Sequence, residues 1–380
     1  MTDKKVAIAT WAGNTTLNYG SLLQAVAMQK LINQCGYHPV TINYCPQKER
    51  SRAKCSKKRR ELLFTKGSMY LKTYRSFSKY VKKNLKLSTV CYDFQDIIDY
   101  VKKSCTILLS GSDAVWWEGW MNSNWIAPLF LWNFPELSDY GKISYAPSLL
   151  MGGVGEALQN CLESYDAISV REKASYEKIK NYTDKEVSVV LDPVLTVSED
   201  FWKKQAAKRL IEEDYVLAYF CSEAALHRIS VQEVQEKYHA KRVVYINMNF
   251  VDKAWGLTDY GDEEFPGIVG PSEFLSLVKY AKAVCTDSFH GMLTSIVFRR
   301  DFFVFDRNSD WQISKDYRFQ DVIERLCLGN RIVRNNKDID KISKIDYKNA
   351  EKYLFTEREK SLDFLVSSLN KQGEKNGCSY

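Results

Sequence analysis

Short apolar runs alternate with stretches of helical periodicity through most of the chain. Val6-Ala7-Ile8-Ala9-Thr10 reads as a strand, and Asn14 to Ser21 as a polar loop carrying Gly20. Leu22 to Cys35 repeats apolar residues at helical spacing through Leu23, Val26, Ala27, Leu31 and Ile32. Gly36 supplies the stop after that helix, and Pro39 to Tyr44 resumes as a strand. A βαβ opening implies a parallel sheet with a ligand crevice at the carboxyl ends of its strands. Four later strands each finish in a polar or charged group. Cys105–Leu109 runs into Ser110-Gly111-Ser112-Asp113, and Lys142–Ala146 into Pro147-Ser148. Ala167–Val170 runs into Arg171-Glu172, and Val187–Leu191 into Asp192-Pro193. Turn and N-cap preferences explain each one singly; a shared crevice explains all four together.

A second alternating series begins at Tyr215–Phe220, a strand, and continues through a helix over Ser230–Tyr238 and a strand over Arg242–Ile246. A helix over Pro271–Tyr280, a strand over Ala283–Thr286 and a strand over Asp301–Phe305 follow. The expected class is α/β, with two Rossmann-like domains facing each other across a cleft. At 380 residues the chain exceeds one ordinary core. The pattern divides it into an N-terminal domain, 1–200, with a basic helical insertion at 46–103. A C-terminal domain follows at 201–345, then a helix and tail at 346–380.

The stretch from Val284 to Arg300 carries the clearest chemistry. It reads as the end of a buried strand, a small polar turn holding Ser288, His290 and Gly291, and then a helix. A helix N-terminus presents unpaired backbone N–H groups and a favourable dipole to an anion. Arg299 and Arg300 lie two to three turns further on. His290 is one of only four histidines.

Charge sharpens the picture more than composition does. The net charge of +7 conceals a segment, Pro46 to Ser88, with 15 Lys and Arg against only Glu49 and Glu61. The rest of the chain is therefore acidic. Tyr70, Leu71, Tyr74, Phe77, Tyr80 and Val81 form an apolar-aromatic stripe at helical spacing within it. Three readings stay open: a solvated helical insertion, a surface for anionic lipid headgroups or a lipid-linked diphosphate at 46–88, and nucleic-acid binding. No recognition fold accompanies the third, and no nucleic-acid partner is expected. No leader or spanning segment is visible, so a cytosolic setting is expected, at the inner membrane face under the lipid-headgroup reading of 46–88. The ten cysteines form no C-x-x-C pair, no metal-ligand spacing appears, and no resident cofactor is expected. The loop before Leu22 lacks the G-x-G-x-x-G fingerprint, which disfavours nicotinamide binding.

Six segments in order resemble the polysaccharide pyruvyl transferase family. They are Asn18-Tyr19-Gly20-Ser21 with Gln24; Ser110-Gly111-Ser112-Asp113-Ala114-Val115-Trp116; Ser144-Tyr145-Ala146-Pro147-Ser148; Ile168-Ser169-Val170-Arg171-Glu172; Leu191-Asp192-Pro193; and Thr286-Asp287-Ser288-Phe289-His290-Gly291. The resemblance implies two Rossmann-like domains arranged as in GT-B glycosyltransferases. It also implies transfer of an enolpyruvyl-derived group from phosphoenolpyruvate to two sugar hydroxyls, as a cyclic ketal with release of phosphate, in capsule or exopolysaccharide synthesis. Family members commonly carry a basic residue where Ser288 stands here, and Gln where Ala114 stands.

Within that chemistry His290 is expected as general acid, with Asp113 as a base for a sugar hydroxyl. Arg171, Ser288, Gly291, Arg299 and Arg300 are expected on the donor side, Arg171 equally as half of a salt bridge. Asn18, Tyr19, Ser21, Ser112, Trp116 and Asp192 are expected on the acceptor side, Asp192 equally as a turn former. Trp116, Trp117, Trp120 and Trp125 serve either as a stacking surface for sugar rings or as cover for the cleft edge. The acceptor is expected to be a glycan carried on a lipid. Alternatives are a GT-B glycosyltransferase using a nucleotide sugar, and a non-catalytic glycan-binding or scaffold protein.

Overall fold

A computed structural model describes residues 4–12, 17–46, 67–222, 227–247, 268–307 and 316–377. Two parallel five-stranded sheets organise it. The first comprises β1 (Lys5–Ala9), β2 (His38–Tyr44), β3 (Leu87–Cys91), β4 (Ile107–Ser110) and β5 (Gly141–Ser144), in the order β3-β2-β1-β4-β5. A parallel pair, β6 (Ile168–Val170) and β7 (Val187–Val189), continues beside β5 through a bridge from Ile143 to Ala167. The second sheet comprises β8 (Tyr215–Phe220), β9 (Arg242–Asn247), β10 (Ala283–Thr286), β11 (Asp301–Phe305) and β12 (Ile332–Val333), in the order β12-β11-β10-β8-β9. Strand order reverses between β1 and β4 in the first sheet and between β8 and β10 in the second. Those are the switch points where doubly wound sheets open a crevice.

The helices used below are α1 (Tyr19–Gln34), α2 (Gly67–Asn84), α3 (Phe94–Ser104), α4 (Pro193–Thr196), α5 (Pro271–Tyr280), α6 (Phe289–Val297), α7 (Tyr317–Arg325) and α8 (Tyr347–Gly377). Asn18 caps α1 by accepting from Ser21 N at 3.2 Å. The helix carries one charge, Lys30, and is buried on nearly every side, because it lies between the first sheet and the second domain. Of the expected insertion over 46–103, residues 47–66 lie outside the described residues, and the described part, from Gly67 on, is regular fold. β3 pairs with β2 in parallel and α3 packs against β3, so α2, β3 and α3 belong to the regular βαβ succession. β3 is a short edge strand whose sequence, LSTVC, has too few apolar positions to stand out. The aromatic stripe of α2 faces inward: Phe77, Tyr80, Val81 and Leu85 are buried, whereas Tyr74 is exposed. Tyr70 and Leu71 lie outside the described side chains.

α8 crosses back from the second domain to the first. Ser361 Oγ accepts from Leu191 N at 2.8 Å, and Tyr37 Oη donates to Leu369 O at 2.8 Å. One core cluster therefore runs through both domains. Among the described residues no helix is long and apolar enough to cross a membrane.

Candidate functional site

Both switch points deliver their polar turns to one place. β4 ends in the Ser112–Asp113 turn and β10 in the Ser288–His290 turn, while Asp192 caps α4 through Oδ1, which accepts from Val194 N at 2.9 Å. The other carboxylate oxygen of Asp192 is the centre of the cluster. Arg171 Nη1 donates to Oδ2 at 2.8 Å, Ser112 Oγ lies 3.4 Å away, and His290 Nε2 lies 3.5 Å away. That last separation is an ion-pair distance, longer than a well-formed hydrogen bond. Burial drives the Asp192 pKa upward, but His290, Arg171 and the Val194 amide outweigh it and hold the carboxyl well below the usual range.

Arg171 is hidden from solvent and remains charged. Burial alone would lower its pKa, yet the carboxylates of Glu172, Asp192 and Asp113 raise it. Its Nε donates to Glu172 Oε1 at 2.8 Å, its guanidinium carbon lies 4.4 Å from the centroid of the Phe289 ring, and Nη2 has no hydrogen-bond partner among the described residues. A buried guanidinium N–H without an acceptor is a costly feature in a finished core and an ordinary one in a site awaiting an oxyanion.

His290 belongs to the second domain, whereas Gly20 and Asp192 belong to the first. The imidazole lies against Gly20 so closely that a Cβ there would overlap the ring at Nδ1. The histidine and its carboxylate are thus assembled only across the domain junction. On the facing side, Ser21 Oγ donates to Asp113 Oδ2 at 2.8 Å, and Asp113 Oδ1 accepts from Ala114 N at 2.8 Å. Asp113 holds a left-handed backbone with φ 76°, which turns its carboxylate toward α1.

Several sequence-based expectations need correction. Arg299 and Arg300 follow the far end of α6, a helix away from His290. Arg299 pairs with Glu199 and Glu351 at a cavity of about 230 Å³, and Arg300 Nε donates to Phe298 O at 3.0 Å. Neither is a donor-side cation for this cluster. Ser288 caps α6, its Oγ accepting from Gly291 N at 3.3 Å, so that the Gly291 N–H is already used. A side chain at Gly291 would press on Thr286 and Tyr219, which makes it a close-packing position. Tyr19 is a clamp between domains rather than an acceptor ligand. Its ring stacks on Phe274 at 4.5 Å and 7°, and its hydroxyl donates to Val269 O at 2.7 Å. Trp116 is wholly buried against Tyr165. Ser112 is wholly buried and braces the turn through Ala146 O at 3.1 Å. Asp192 is buried, its Oδ2 turned to Arg171 and His290. Asn18 and Ser21 do lie at the cleft, through the α1 cap and the bond to Asp113.

Three groups escaped sequence reasoning. Trp11, directly after the β1 turn, meets Trp120 at 5.2 Å and Phe130 at 5.1 Å, and Trp125 lies 6.4 Å away. The three tryptophans are half-buried, and Trp11 and Phe130 line a small cavity together with Thr10, Ile42 and Tyr44. Arg307, after β11, donates from Nε to Asp287 O at 3.3 Å, and Asp287 accepts from Cys221 N at 2.6 Å and Ser222 N at 2.9 Å. Arg318, on α7, holds Asp316 bidentately, with its Nε at 2.8 Å and its Nη2 at 2.6 Å from the two carboxylate oxygens, and lies 5.2 Å from the Phe289 ring. These are the second domain's own cations near the His290 turn. His227 stacks on Phe220 at 5.1 Å, and burial lowers its pKa.

Two Rossmann-like domains joined by a returning C-terminal helix, with facing switch points, define an α/β fold of the GT-B type. In solved structures the same architecture appears in UDP-N-acetylglucosamine 2-epimerase from Rickettsia bellii, at TM-score 0.56 and 9% identity over 98% of each chain. The Methanocaldococcus jannaschii UDP-GlcNAc 2-epimerase aligns at TM-score 0.49 and 13% identity over 97% of this chain and 99% of that one, and Acinetobacter baumannii MurG at TM-score 0.44 and 10% identity over 97% and 99%. No curated protein matches the chain significantly in sequence. The polysaccharide pyruvyl transferase family model matches residues 18–309, from the cap of α1 past β11, and the chain belongs to that family. Membership makes it a transferase with a glycan acceptor.

Proposed function

We propose that the protein transfers a pyruvyl group from phosphoenolpyruvate to two hydroxyls of one sugar in a glycan, forming a cyclic ketal and releasing phosphate. One observation carries this reading: the His290–Asp192 pair closes across the domain junction beside a buried Arg171 whose Nη2 lacks an acceptor among the described residues. The donor bears a carboxylate and a phosphate, and a guanidinium with an N–H to spare suits either.

In this reading His290 delivers a proton to the methylene carbon of the donor, leaving an oxocarbenium-like centre at the carbon bearing phosphate. One sugar hydroxyl adds there and gives up its proton to Asp113, whose carboxylate is set toward α1. The second hydroxyl then displaces phosphate, and its proton leaves with that group or returns to His290. Asp192 fixes the imidazole and stabilises its charged form, a role that requires a carboxylate held ionised. Trp11, Trp120 and Trp125 offer aromatic faces to the acceptor on the first domain's side. The capsule or exopolysaccharide setting and a lipid-carried acceptor belong to this reading, supported by family membership and by the basic segment.

Phosphate release from phosphoenolpyruvate, assayed against a panel of glycan acceptors, tests it. The wild-type protein is expected to release phosphate only with its acceptor, and His290→Ala to lose at least about a hundredfold in rate. Wild-type turnover in that variant would remove His290 from the proton-transfer step.

A further inference from the structure

The exposed face of α2 and the residues just after it hold Lys72, Arg75, Lys79, Lys82, Lys83 and Lys86. Spacings of three and four place Lys72, Arg75, Lys79 and Lys82 on one stripe of the helix, and Lys86 follows just past its end. No residue of α2 is acidic. The opposite face is used up inside the molecule. Phe77 meets the Tyr19 ring at 5.0 Å, Tyr80, Val81 and Leu85 are buried, and Ser76 packs so tightly on Gly270 that a Cβ there would clash. The helix therefore bridges the first domain and the start of α5 in the second, at the lip of the cleft. Tyr19, which Phe77 touches, precedes the Gly20 that lies against His290. The charged stripe thus lies beside the site mouth and is held rigidly to it.

We propose that this stripe docks the protein electrostatically on an anionic bilayer, with the cleft lip beside the headgroups. Phe77, Tyr80 and Val81 are buried against the protein itself and are not available to a bilayer, which leaves the exposed charges to act. Five of the six residues are lysines, compact hydrated charges suited to a diffuse field of headgroups rather than to the bidentate readout that arginine gives nucleic acid. Outside residues 46–88 the chain is net acidic, so the attraction is concentrated on the side of this segment.

Sedimentation of the full-length protein with large vesicles tests this, using phosphatidylcholine alone against phosphatidylcholine containing phosphatidylglycerol. Partitioning is expected only with the anionic lipid, and is expected to disappear at about 0.5 M salt, where screening is strong. The triple variant Lys79→Ala, Lys82→Ala, Lys83→Ala should partition about a hundredfold less, at about fivefold per residue. Lys348→Ala with Lys352→Ala, equally exposed on α8, should bind as wild type. Equal binding to neutral vesicles, or wild-type binding by the triple variant, would overturn the proposal. So would absence of vesicle binding together with stripe-dependent binding of poly(U) RNA. None of these outcomes depends on which donor the cleft accepts.

Discussion

Replacing Asp192 by Asn removes one charge from the centre of the site and little else. The side chain is almost fully buried, and its Oδ2 receives Arg171 Nη1 at 2.8 Å and faces His290 Nε2 at 3.5 Å. Taking one partner from a buried ion pair typically costs about 3–5 kcal/mol. Asn keeps an acceptor for the Val194 amide, so the lower end, about 3 kcal/mol at pH 7, is expected. For domains of this size that corresponds to a fall in Tm of about 6–12 °C. The pH dependence follows from the direction of the Asp192 shift. Its folded pKa is depressed, so its contribution is complete above the unfolded value near 3.9 and is lost as pH falls toward the folded one. Urea unfolding of wild type and variant, followed by tryptophan fluorescence at pH 7, 5 and 3.5, measures the gap. It should be constant from pH 7 to 5 and narrow below about pH 4. A gap under 1 kcal/mol at neutral pH, or one that widens in acid, would refute the ion-pair account. Turnover should drop by about a hundredfold or more, because His290 loses its orienting carboxylate.

Gly20→Ala places a methyl where the His290 ring lies, so a large loss of turnover with a stability cost of only about 1–3 kcal/mol is expected; wild-type rates would show that the ring is not held there. Arg299→Ala should leave turnover unchanged and cost under about 1 kcal/mol, since its partners Glu199 and Glu351 lie at the far end of α6 and the pair is half exposed. A hundredfold rate loss there would restore the arginine to the donor side. Tyr19→Phe removes only the hydroxyl bond to Val269 O and should cost about 1 kcal/mol in urea unfolding, whereas Tyr19→Ala, which deletes the stack on Phe274, should cost about 3–5 kcal/mol.

Much of the frame was legible because parallel strands buried on both faces read as apolar runs, and because their polar ends marked the crevice. His290, Asp113, Arg171 and Asp192 emerged from those strand ends and Ser21 from the polar loop before Leu22, and the structure brings all five to the domain junction. Roles were harder to read than positions. Whether a strand-end group faces a ligand or its neighbour depends on partners far away in sequence, as with Ser288, whose hydroxyl turns back onto Gly291. Proximity along the chain misled for Arg299 and Arg300, because a helix carries them away from the turn that begins it. Trp116 shows the limit of composition. It packs wholly inward, while Trp120 and Trp125 gather around Trp11, about a hundred residues earlier. The apolar stripe of α2 was visible, but nothing in its spacing distinguished a bilayer from the protein's own second domain. β3 passed unseen because an edge strand of mixed polarity lacks a period strong enough to stand out.

The central claim, that the cleft between His290 and Arg171 receives phosphoenolpyruvate, is tested most directly by thermal unfolding of the full chain with the donor. A ligand present at a hundred times its Kd stabilises the native state by about 2.7 kcal/mol. Phosphoenolpyruvate should therefore raise the wild-type midpoint by several degrees while uridine diphosphate leaves it unchanged. A rise with uridine diphosphate and none with phosphoenolpyruvate would contradict the account and assign the cleft to a nucleotide-linked donor.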